Sequence, residues 1–442
     1  MDAIPLICHD NGGAIFARQG ERTISVDQFL RDVSQLAALL PEREFLLNLC
    51  TDRYHFIVGF AAALIRKQIN LLPPNHTVGL IEILSQQYSG MYCLTDTSNE
   101  HFSLETVFFP PSDETNSTGQ LVPLIPVAQV AAIVFTSGST GESLPYKKTW
   151  GGLAKSAKEA AKVLGVKFFP GMNVLGTVPP QHMYGLESTA LLAMQGGLTM
   201  HAGRPFYPAD IFAQLDSLPR PRMLVTTPVH LRTLMAEYAS LPSVDIVLCA
   251  TAPLSPKLAE EAEGHFGAPL YEIYGCTESG QVATRRTAKS LEWRTFEGLK
   301  LSQDEQGTWV SGGHVETKTL LNDLIDLHSP ETFVLQGRTA DLINIAGKRT
   351  SLSNLNHHLN AIEGVQDGVF VMPDDKDGDV TRLMAFVVAP GLTSEAVMNA
   401  LRQRIDPAFL PRPLRFVTAL PRNQTGKLPR EALQKLVSEL AI

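Results

Sequence analysis

Residues 131–141, Ala-Ala-Ile-Val-Phe-Thr-Ser-Gly-Ser-Thr-Gly, join an apolar run to a turn rich in hydroxyls and glycine. The apolar residues predict a buried strand. Because glycine lets the backbone approach an anion closely, and hydroxyls with successive N–H groups can cradle phosphate oxygens, the turn is a candidate phosphate-binding loop. It is not a P-loop, since Glu142 and Ser143 follow Gly141 where Lys and Ser/Thr would stand. A Ser/Gly-rich surface loop is the alternative reading.

The segments around this turn predict an α/β fold. Residues 21–95 alternate helical and strand-like patterns, which is typical of βαβ units and a mainly parallel sheet. Further strands are expected at 223–227, 244–249 and 270–274, and Ser255-Pro256 predicts the start of a helix that Gly267 ends. The last hundred residues show the pattern of a small α+β unit. The fold class expected is therefore α/β, with a large N-terminal domain of mainly parallel or mixed sheets and a small C-terminal α+β domain.

Composition narrows the function classes. The chain has 442 residues and a net charge of −8, which gives no reason to expect nucleic acid as a partner. The five cysteines show no Cys-x-x-Cys pair, so a zinc site or a disulfide framework is not expected. The longest apolar run, 56–65, is too short to span a bilayer, and the N-terminus lacks a signal-peptide pattern. A cytoplasmic location is predicted.

Four motifs occur in an order that resembles the adenylate-forming (AMP-binding) superfamily, which includes acyl- and aryl-CoA synthetases. They are Thr136, Ser137, Gly138, Ser139, Thr140 and Gly141; Tyr274, Gly275, Cys276, Thr277 and Glu278; Gly337-Arg338 through Asp341 and Gly347; and Asn423-Gln424-Thr425-Gly426-Lys427.

The resemblance implies an ATP-dependent acid–thiol ligase. Such an enzyme activates a carboxylic acid as acyl-AMP with release of pyrophosphate, and then transfers the acyl group to a thiol. The implied cofactors are ATP, Mg²⁺ and, as acceptor, coenzyme A or the phosphopantetheine of an acyl carrier protein. A non-catalytic nucleotide-binding member with an assembly or regulatory role is the alternative. A phosphotransferase is disfavoured, because the loop lacks Gly-Lys-Ser/Thr.

Nucleotide-binding residues follow from the same resemblance. The 136–141 loop would hold the β- and γ-phosphates, Thr277 would reach the α-phosphate, and Glu278 would hold Mg²⁺. Tyr274, which Gly275 follows in the sequence, would stack near adenine. A second segment would lie on the other side of the adenine ring. That segment comprises Ala250, Thr251 and Ala252.

Two positions near the small domain depart from the family pattern. The family's ribose-binding aspartate follows Thr-Gly, whereas Asp323 here follows Leu-Asn. Its spacing to Arg338, the second expected ribose contact, still selects Asp323, with Asp326 as the fallback. The usual hinge position holds Ala340, so the pivot of the expected domain rotation is left open.

The resemblance makes Lys427 the lysine that meets both the carboxylate and the α-phosphate, carried on a mobile lid. It implies an N-terminal domain of residues 1–338 and a lid domain of residues 339–442. Gly347 would line the thiol's tunnel.

The acyl pocket is expected around Pro179–Gly185. His182 would lie at the carboxylate end, and the other expected lining residues are Met183, Tyr184, His230 and Cys276. No lysine or aspartate is placed to match an amino acid's ammonium group, so an aryl or hydroxyaryl acid is favoured. The phosphate loop is lengthened, and either Lys147 or Lys148 could serve it. The shortened chain resembles the compact AMP-ligases of aryl-polyene and related pigment pathways.

Overall fold

The computed structural model describes residues 2–97, 103–111, 119–135, 144–338, 342–345, 348–372, 383–423 and 426–440. Its strands, in chain order, are β1 (Ala3–Pro5), β2 (Ile15–Gln19), β3 (Arg22–Ser25), β4 (Phe45–Asn48), β5 (Ile69–Leu72), β6 (Tyr92–Thr95), β7 (Thr106–Phe108), β8 (Leu124–Pro126), β9 (Val130–Phe135), β10 (Pro145–Thr149), β11 (Asn173–Gly176), β12 (Thr199–His201), β13 (Arg222–Thr226), β14 (Ile246–Cys249), β15 (Leu270–Cys276), β16 (Gly280–Arg285), β17 (Trp293–Thr295), β18 (Leu299–Asp304), β19 (Gly307–Gly312), β20 (Val315–Leu321), β21 (Asp323–Ser329), β22 (Thr332–Arg338), β23 (Leu342–Ile345), β24 (Lys348–Ser351), β25 (Asp367–Val371), β26 (Met384–Val388) and β27 (Leu414–Phe416).

The α-helices are α1 (Val26–Leu39), α2 (Arg53–Ile65), α3 (Val78–Gln87), α4 (Trp150–Val163), α5 (Met183–Gly185), α6 (Leu192–Gly196), α7 (Pro208–Ser217), α8 (Pro228–Glu237), α9 (Pro256–Phe266), α10 (Leu352–Asn360), α11 (Ser394–Arg402) and α12 (Arg430–Leu440). Short 3₁₀ turns cover Val166–Phe168 and Pro407–Phe409. Residues Leu186–Leu191 are π-helical and join α5 to α6 in one helical segment.

A six-stranded sheet contains the strand that leads into the glycine-rich turn. Its order is β10-β9-β5-β4-β6-β7, with β10 antiparallel to β9 and the other neighbours parallel. The connecting helix α2 is apolar on all sides and is buried along nearly its whole length, as its sequence predicts. The βαβ arrangement expected for residues 21–95 is confirmed.

An eleven-stranded mixed sheet runs in the order β21-β22-β17-β16-β15-β14-β13-β11-β12-β2-β3. Its central strands, from β15 through β14, β13, β11 and β12 to β2, are parallel. The carboxyl ends of these strands therefore meet at one edge, which is where α/β sheets present ligand sites.

Local signals set the helix between β14 and β15. The Ser255 side chain accepts from the Leu258 N–H at the start of α9, Pro256 occupies the first turn, and Gly267 ends the helix in the left-handed conformation at φ +66°. No elements were predicted between Glu278 and Asp323, where the structure has β16, β17 and the three-stranded antiparallel sheet β18-β19-β20.

The C-terminal part forms the expected small α+β unit. Strands β25, β26 and β27 make a three-stranded sheet, and α10 and α11 supply a separate apolar core with Leu355, Leu359, Val397 and Leu401. Ser351 at the start of α10 donates a hydrogen bond to the carbonyl oxygen of Gln336 in β22 at 3.2 Å. This bond ties the unit to the last strand of the large sheet.

Candidate active site

The candidate site lies where β13, β14 and β15 end. Thr227 follows β13, Ala250 follows β14, and β15 runs directly into Cys276. Because these strands are parallel neighbours, the residues that follow them come together at one edge of the sheet. Thr251, in the segment expected to flank adenine, has φ +81°, an uncommon conformation for a β-branched residue. Such strain, about 1–3 kcal/mol, is typically found at ligand sites.

The turn between β15 and β16 carries Thr277 and Glu278, the candidate phosphate and Mg²⁺ residues. Gly275 lies opposite Gln281, and a Cβ at Gly275 would overlap the carbonyl oxygen of Gly280, so only glycine fits the crossing of the two strands. The Cys276 thiol lies 3.1 Å from the Ser279 hydroxyl, and burial raises its pKa to about 12. Cys276 is therefore a neutral packing residue rather than a nucleophile.

Tyr274 and Asp323 are in direct contact. The Tyr274 hydroxyl donates to Oδ2 of Asp323 at 2.7 Å, and the Tyr274 ring packs against Trp293 and Phe333. Asp323 begins β21 and is the register partner of Arg338 at the end of β22. The structure thus brings Tyr274 and Asp323 into contact and places the backbone of Arg338 opposite Asp323.

The fallback residue for the ribose, Asp326, lies further along β21. Its carboxylate is 62% exposed and lies 3.8 Å from Nε2 of His328. It takes no part in the Tyr274–Asp323 contact, so Asp323 is the better-placed carboxylate.

The phosphate loop residues Thr136 to Gly141 lie outside the described residues, as do Ala340, Asp341 and Gly347. The strand that follows the loop, β10, is described and distinguishes its two lysines. Lys147 is exposed, whereas Lys148 is half-buried and its Nζ donates to the backbone carbonyl of Glu278 at 2.6 Å. Lys148 is therefore the lysine that reaches the candidate site.

His182 caps the helical segment that begins at α5. Its Nδ1 accepts from the N–H of Tyr184 at 3.3 Å, which leaves Nε2 to carry the proton of the neutral ring. A Cβ at Gly185 would overlap the carbonyl oxygen of Pro179, so the turn before the helix requires this glycine. Burial, and secondly the positive charge of Lys427, lowers the pKa of His182 to about 3.

Lys427 therefore lies close enough to His182 for their charges to interact, although 245 positions separate them in sequence. The loop that carries it is built locally: Asn423 Oδ1 accepts from the N–H of Lys427 at 3.0 Å, and Gly426 adopts φ +75°. A Cβ on Gly426 would lie 3.4 Å from Oγ1 of Thr227. The C-terminal loop is thus seated against the end of β13.

The other expected pocket residues have their polar atoms engaged by the protein. The Tyr184 hydroxyl lies 3.1 Å from the carbonyl oxygen of Thr226 and 2.9 Å from that of Leu248, so it ties β13 to β14. Nδ1 of His230 lies 2.9 Å from the hydroxyl of Thr227, and burial lowers the pKa of His230 to about 4. Met183 is buried in the main apolar core. These residues can shape a pocket, and His182 is the expected pocket residue whose pKa the charge of Lys427 lowers.

Sequence reasoning missed Arg422, five residues before Lys427. Its Nη1 donates to the carbonyl oxygen of Gly426 at 2.9 Å, and its Nε and Nη2 bind the Asp367 carboxylate at 2.7 and 2.8 Å. The one available signal was an arginine immediately before the Asn-Gln-Thr-Gly-Lys motif.

Among the described residues, no group of three or more His, Cys, Asp or Glu side chains could hold a metal ion by itself. None of the helices in the described part of the chain has both the length and the apolar composition needed to cross a membrane.

Comparisons with known proteins show the family of the chain. A family profile described as "AMP-binding enzyme" matches residues 9–305, and one described as "AMP-binding enzyme C-terminal domain" matches residues 357–427. The chain is 28% identical over 305 residues to a 4-coumarate–CoA ligase of Rhodobacter capsulatus, covering 68% of this chain and 75% of the relative. It is 25% identical over 335 residues to a 2-succinylbenzoate–CoA ligase of Staphylococcus epidermidis, covering 69% of each.

Its fold is similar to that of O-succinylbenzoate coenzyme A synthetase from Bacillus subtilis solved with ATP and magnesium ion. The TM-score is 0.78 at 20% identity, and the match covers 95% of this chain and 96% of the other. With a family profile over more than half of its length and a second over its C-terminal part, the chain belongs to the AMP-binding enzyme family, the adenylate-forming superfamily that its motifs resemble.

Proposed function

We propose that the protein is an ATP-dependent ligase that joins an aryl carboxylic acid to a thiol through an acyl-adenylate. One observation carries the proposal: the Lys427 loop is seated against the end of β13, and the positive charge of Lys427 acts on His182. A carboxylate that enters beside His182 would meet the positive charge of Lys427. The expected α-phosphate residue, Thr277, follows β15 of the same sheet. The two relatives described above carry the names of CoA ligases for aromatic acids, which supports this substrate class.

In the first half-reaction, a carboxylate oxygen attacks the α-phosphorus of ATP, the bond to the β-phosphate oxygen breaks, and pyrophosphate leaves. Lys427 would hold the attacking carboxylate and the α-phosphate together and offset the charge that builds on the phosphate oxygens. Thr277 would donate to the α-phosphate, while Tyr274 and Asp323 would hold the adenosine.

In the second half-reaction, a thiolate attacks the acyl carbon and AMP leaves. The proposal includes a large domain of residues 1–338 and a lid of residues 339–442, which rotates between the two steps. Coenzyme A is the acceptor that the relatives' names favour. A carrier protein, a cytoplasmic location and a place in a pigment pathway stay predictions.

Mg²⁺ fits the residues present. It is usually held by one or two carboxylates together with substrate phosphates and waters, which is what a single Glu278 beside a phosphate loop would provide. When bound, it would neutralise charge on the leaving pyrophosphate.

A panel of substituted benzoic, cinnamic and linear fatty acids tests the proposal, with pyrophosphate release and mass detection of acyl-AMP as readouts. We expect release with at least one aromatic acid, and thioester formation when coenzyme A is added. The Lys427→Ala variant should lose about 100-fold or more in pyrophosphate release, typical of losing a group that stabilises transition-state charge. The matched control is Lys435→Ala, because Lys435 is exposed on the same C-terminal segment and its Nζ lies 3.8 Å from the exposed Glu439 carboxylate.

Two results would contradict the proposal. If Lys427→Ala and Lys435→Ala behaved alike, Lys427 would have no part in the reaction. If ATP bound but no acid of any class supported pyrophosphate release, the protein would be the non-catalytic nucleotide-binding member instead.

A further inference from the structure

Glu187 is a buried carboxylate for which the reaction described above has no use. It lies in the π-helical turns Leu186–Leu191, with 3% of its surface exposed. A buried carboxylate costs stability unless it is paired and hydrogen-bonded. An apolar residue would fill this helical position at a lower cost in folding free energy. The contacts that Glu187 makes therefore indicate what the carboxylate does.

The carboxylate of Glu187 contacts the residues that follow the β15–β16 turn, at the start of β16. Oε1 accepts from the Ser156 hydroxyl of α4 at 2.9 Å, and the carboxylate also accepts from the backbone N–H of Gln281. A Cβ on Gly280 would lie 2.9 Å from the same Oε1, and Gly280 has φ +77°. The carboxylate therefore packs directly on the backbone that closes the turn.

Lys148 holds the same turn from the phosphate-loop side. Its Nζ donates to the carbonyl oxygen of Glu278, and Glu187 attracts it more strongly than the other carboxylates around it do. Burial raises the pKa of Glu187 to about 7, while Ser156, Lys148 and the Gln281 N–H act in the opposite direction. One carboxylate and one ammonium thus fix the two ends of the segment that carries Thr277 and Glu278.

We propose that Glu187 is a positioning residue for adenylation, which fixes the Thr277–Glu278 turn through the Gln281 N–H and through Lys148. The inference rests on the proposed function for its kinetic consequences. It assigns no contact between Glu187 and substrate. The turn acts while pyrophosphate leaves, so the effect should fall on the first half-reaction and spare the second.

The test compares Glu187→Ala and Glu187→Gln with Glu316→Gln. Glutamine keeps an oxygen that can accept from Ser156 and Gln281, whereas alanine removes it. Glu316 is an exposed acid that also attracts Lys148 but does not touch the turn, so it is the matched control. We expect Glu187→Ala to lower kcat for pyrophosphate release about 100-fold, as a displacement of about 1 Å does, with the KM for the acid within about twofold.

Glu187→Gln should recover about tenfold of that loss, and Glu316→Gln should match the wild type within about twofold. Thioester formation from supplied acyl-AMP and coenzyme A should stay within about twofold of the wild type in every variant. A second readout needs no activity: amide hydrogen exchange in the peptide 274–285 should accelerate in Glu187→Ala and not in Glu316→Gln.

The proposal is overturned if a folded Glu187→Ala variant keeps the wild-type kcat, or if both half-reactions slow equally, which indicates a general structural defect. If Glu187→Ala does not fold, Glu187→Gln is measured in the same two half-reactions. A slower release of pyrophosphate with unchanged thioester formation supports the proposal, and wild-type rates in both overturn it. If the wild-type protein releases no pyrophosphate with any acid, the proposed function fails, and hydrogen exchange alone still decides whether Glu187 holds the turn.

Discussion

Neutral His182 should make the fold sensitive to acid, and replacing it with asparagine should remove that sensitivity. Burial and the nearby Lys427 lower the pKa of His182 from 6.5 to about 3 in the folded chain. The unfolded chain therefore takes up the proton first as the pH falls. The stability that neutral His182 contributes is complete above pH 6.5 and is lost progressively between pH 6.5 and about pH 3.

The magnitude follows from that shift. Between pH 7.5 and 5.0 the unfolded imidazole becomes almost fully protonated while the folded one stays neutral, which costs about 2 kcal/mol at 1.36 kcal/mol per pKa unit. The ring keeps part of its surface exposed, so we take about 1–2 kcal/mol as the working range. Protonation of Nδ1 would also remove the acceptor that caps Tyr184 N–H.

Asparagine is the matched substitution, because its side-chain oxygen can cap the same helix and does not titrate. His182→Asn should lose about 1–2 kcal/mol less than the wild type between pH 7.5 and 5.0 in urea denaturation. The other buried histidines, His230 and His314, titrate alike in both proteins and cancel in this difference. NMR of ¹³C-labelled histidine rings, with the variant used for assignment, should show that the His182 ring does not titrate over this range.

A His182 ring that titrates near pH 6.5 would refute the reasoning. So would an equal loss of stability in the two proteins. Either result would mean that the ring is solvated and distant from Lys427, and the carboxylate end of the pocket would have to be placed elsewhere.

Three further predictions concern neighbouring parts of the structure. Tyr274→Phe removes a hydrogen bond to the Asp323 carboxylate that is worth about 1.5–3 kcal/mol. It should raise the KM for ATP about tenfold or more with little change in kcat. A fall in kcat without a rise in KM would contradict this prediction. Arg422→Met should lower kcat for pyrophosphate release about tenfold or more by freeing the Lys427 loop, and an unchanged kcat would show that the loop keeps its shape without it. Gly185→Ala should destabilise the fold by about 3 kcal/mol because its Cβ meets backbone, whereas Gly264→Ala, with open space around its Cβ, should not; equal melting temperatures would refute this.

Local chemistry made much of the fold predictable. Ser255, Pro256 and Gly267 bound α9 as their side-chain and backbone preferences require, and the run before Thr136 forms the buried strand β9. The end of β15 was harder to predict from the sequence. The strand was expected to stop at Tyr274, but it continues to Cys276. It does so because β16 returns and pairs with it, and that pairing depends on residues beyond the turn.

Partners far apart in sequence account for what was missed at the site. His230 and Tyr184 have the residue types of a pocket lining, yet distant residues engage their polar atoms. Nδ1 of His230 lies 3.2 Å from the Thr177 hydroxyl. The Tyr184 hydroxyl donates to the carbonyl oxygens of Thr226 and Leu248. No periodicity or local motif carries that information, because each contact depends on how β13, β14 and the helical segment pack. Glu187 was missed for the same reason, although an acid in a buried helical segment with no other charged residue is a visible anomaly.

Asp323 shows how geometry can replace a lost motif. It lacks the preceding Thr-Gly, and its spacing to Arg338 was the only sequence argument for it. The structure explains why spacing suffices: β21 and β22 form a hairpin whose register sets the two residues opposite each other. Once that hairpin lies beside β17 and β16, the Tyr274 hydroxyl reaches the carboxylate. The identity of the exposed residue 322 can therefore vary, provided the hairpin keeps its register, and an insertion in the turn between β21 and β22 should do more harm than a substitution at Asn322.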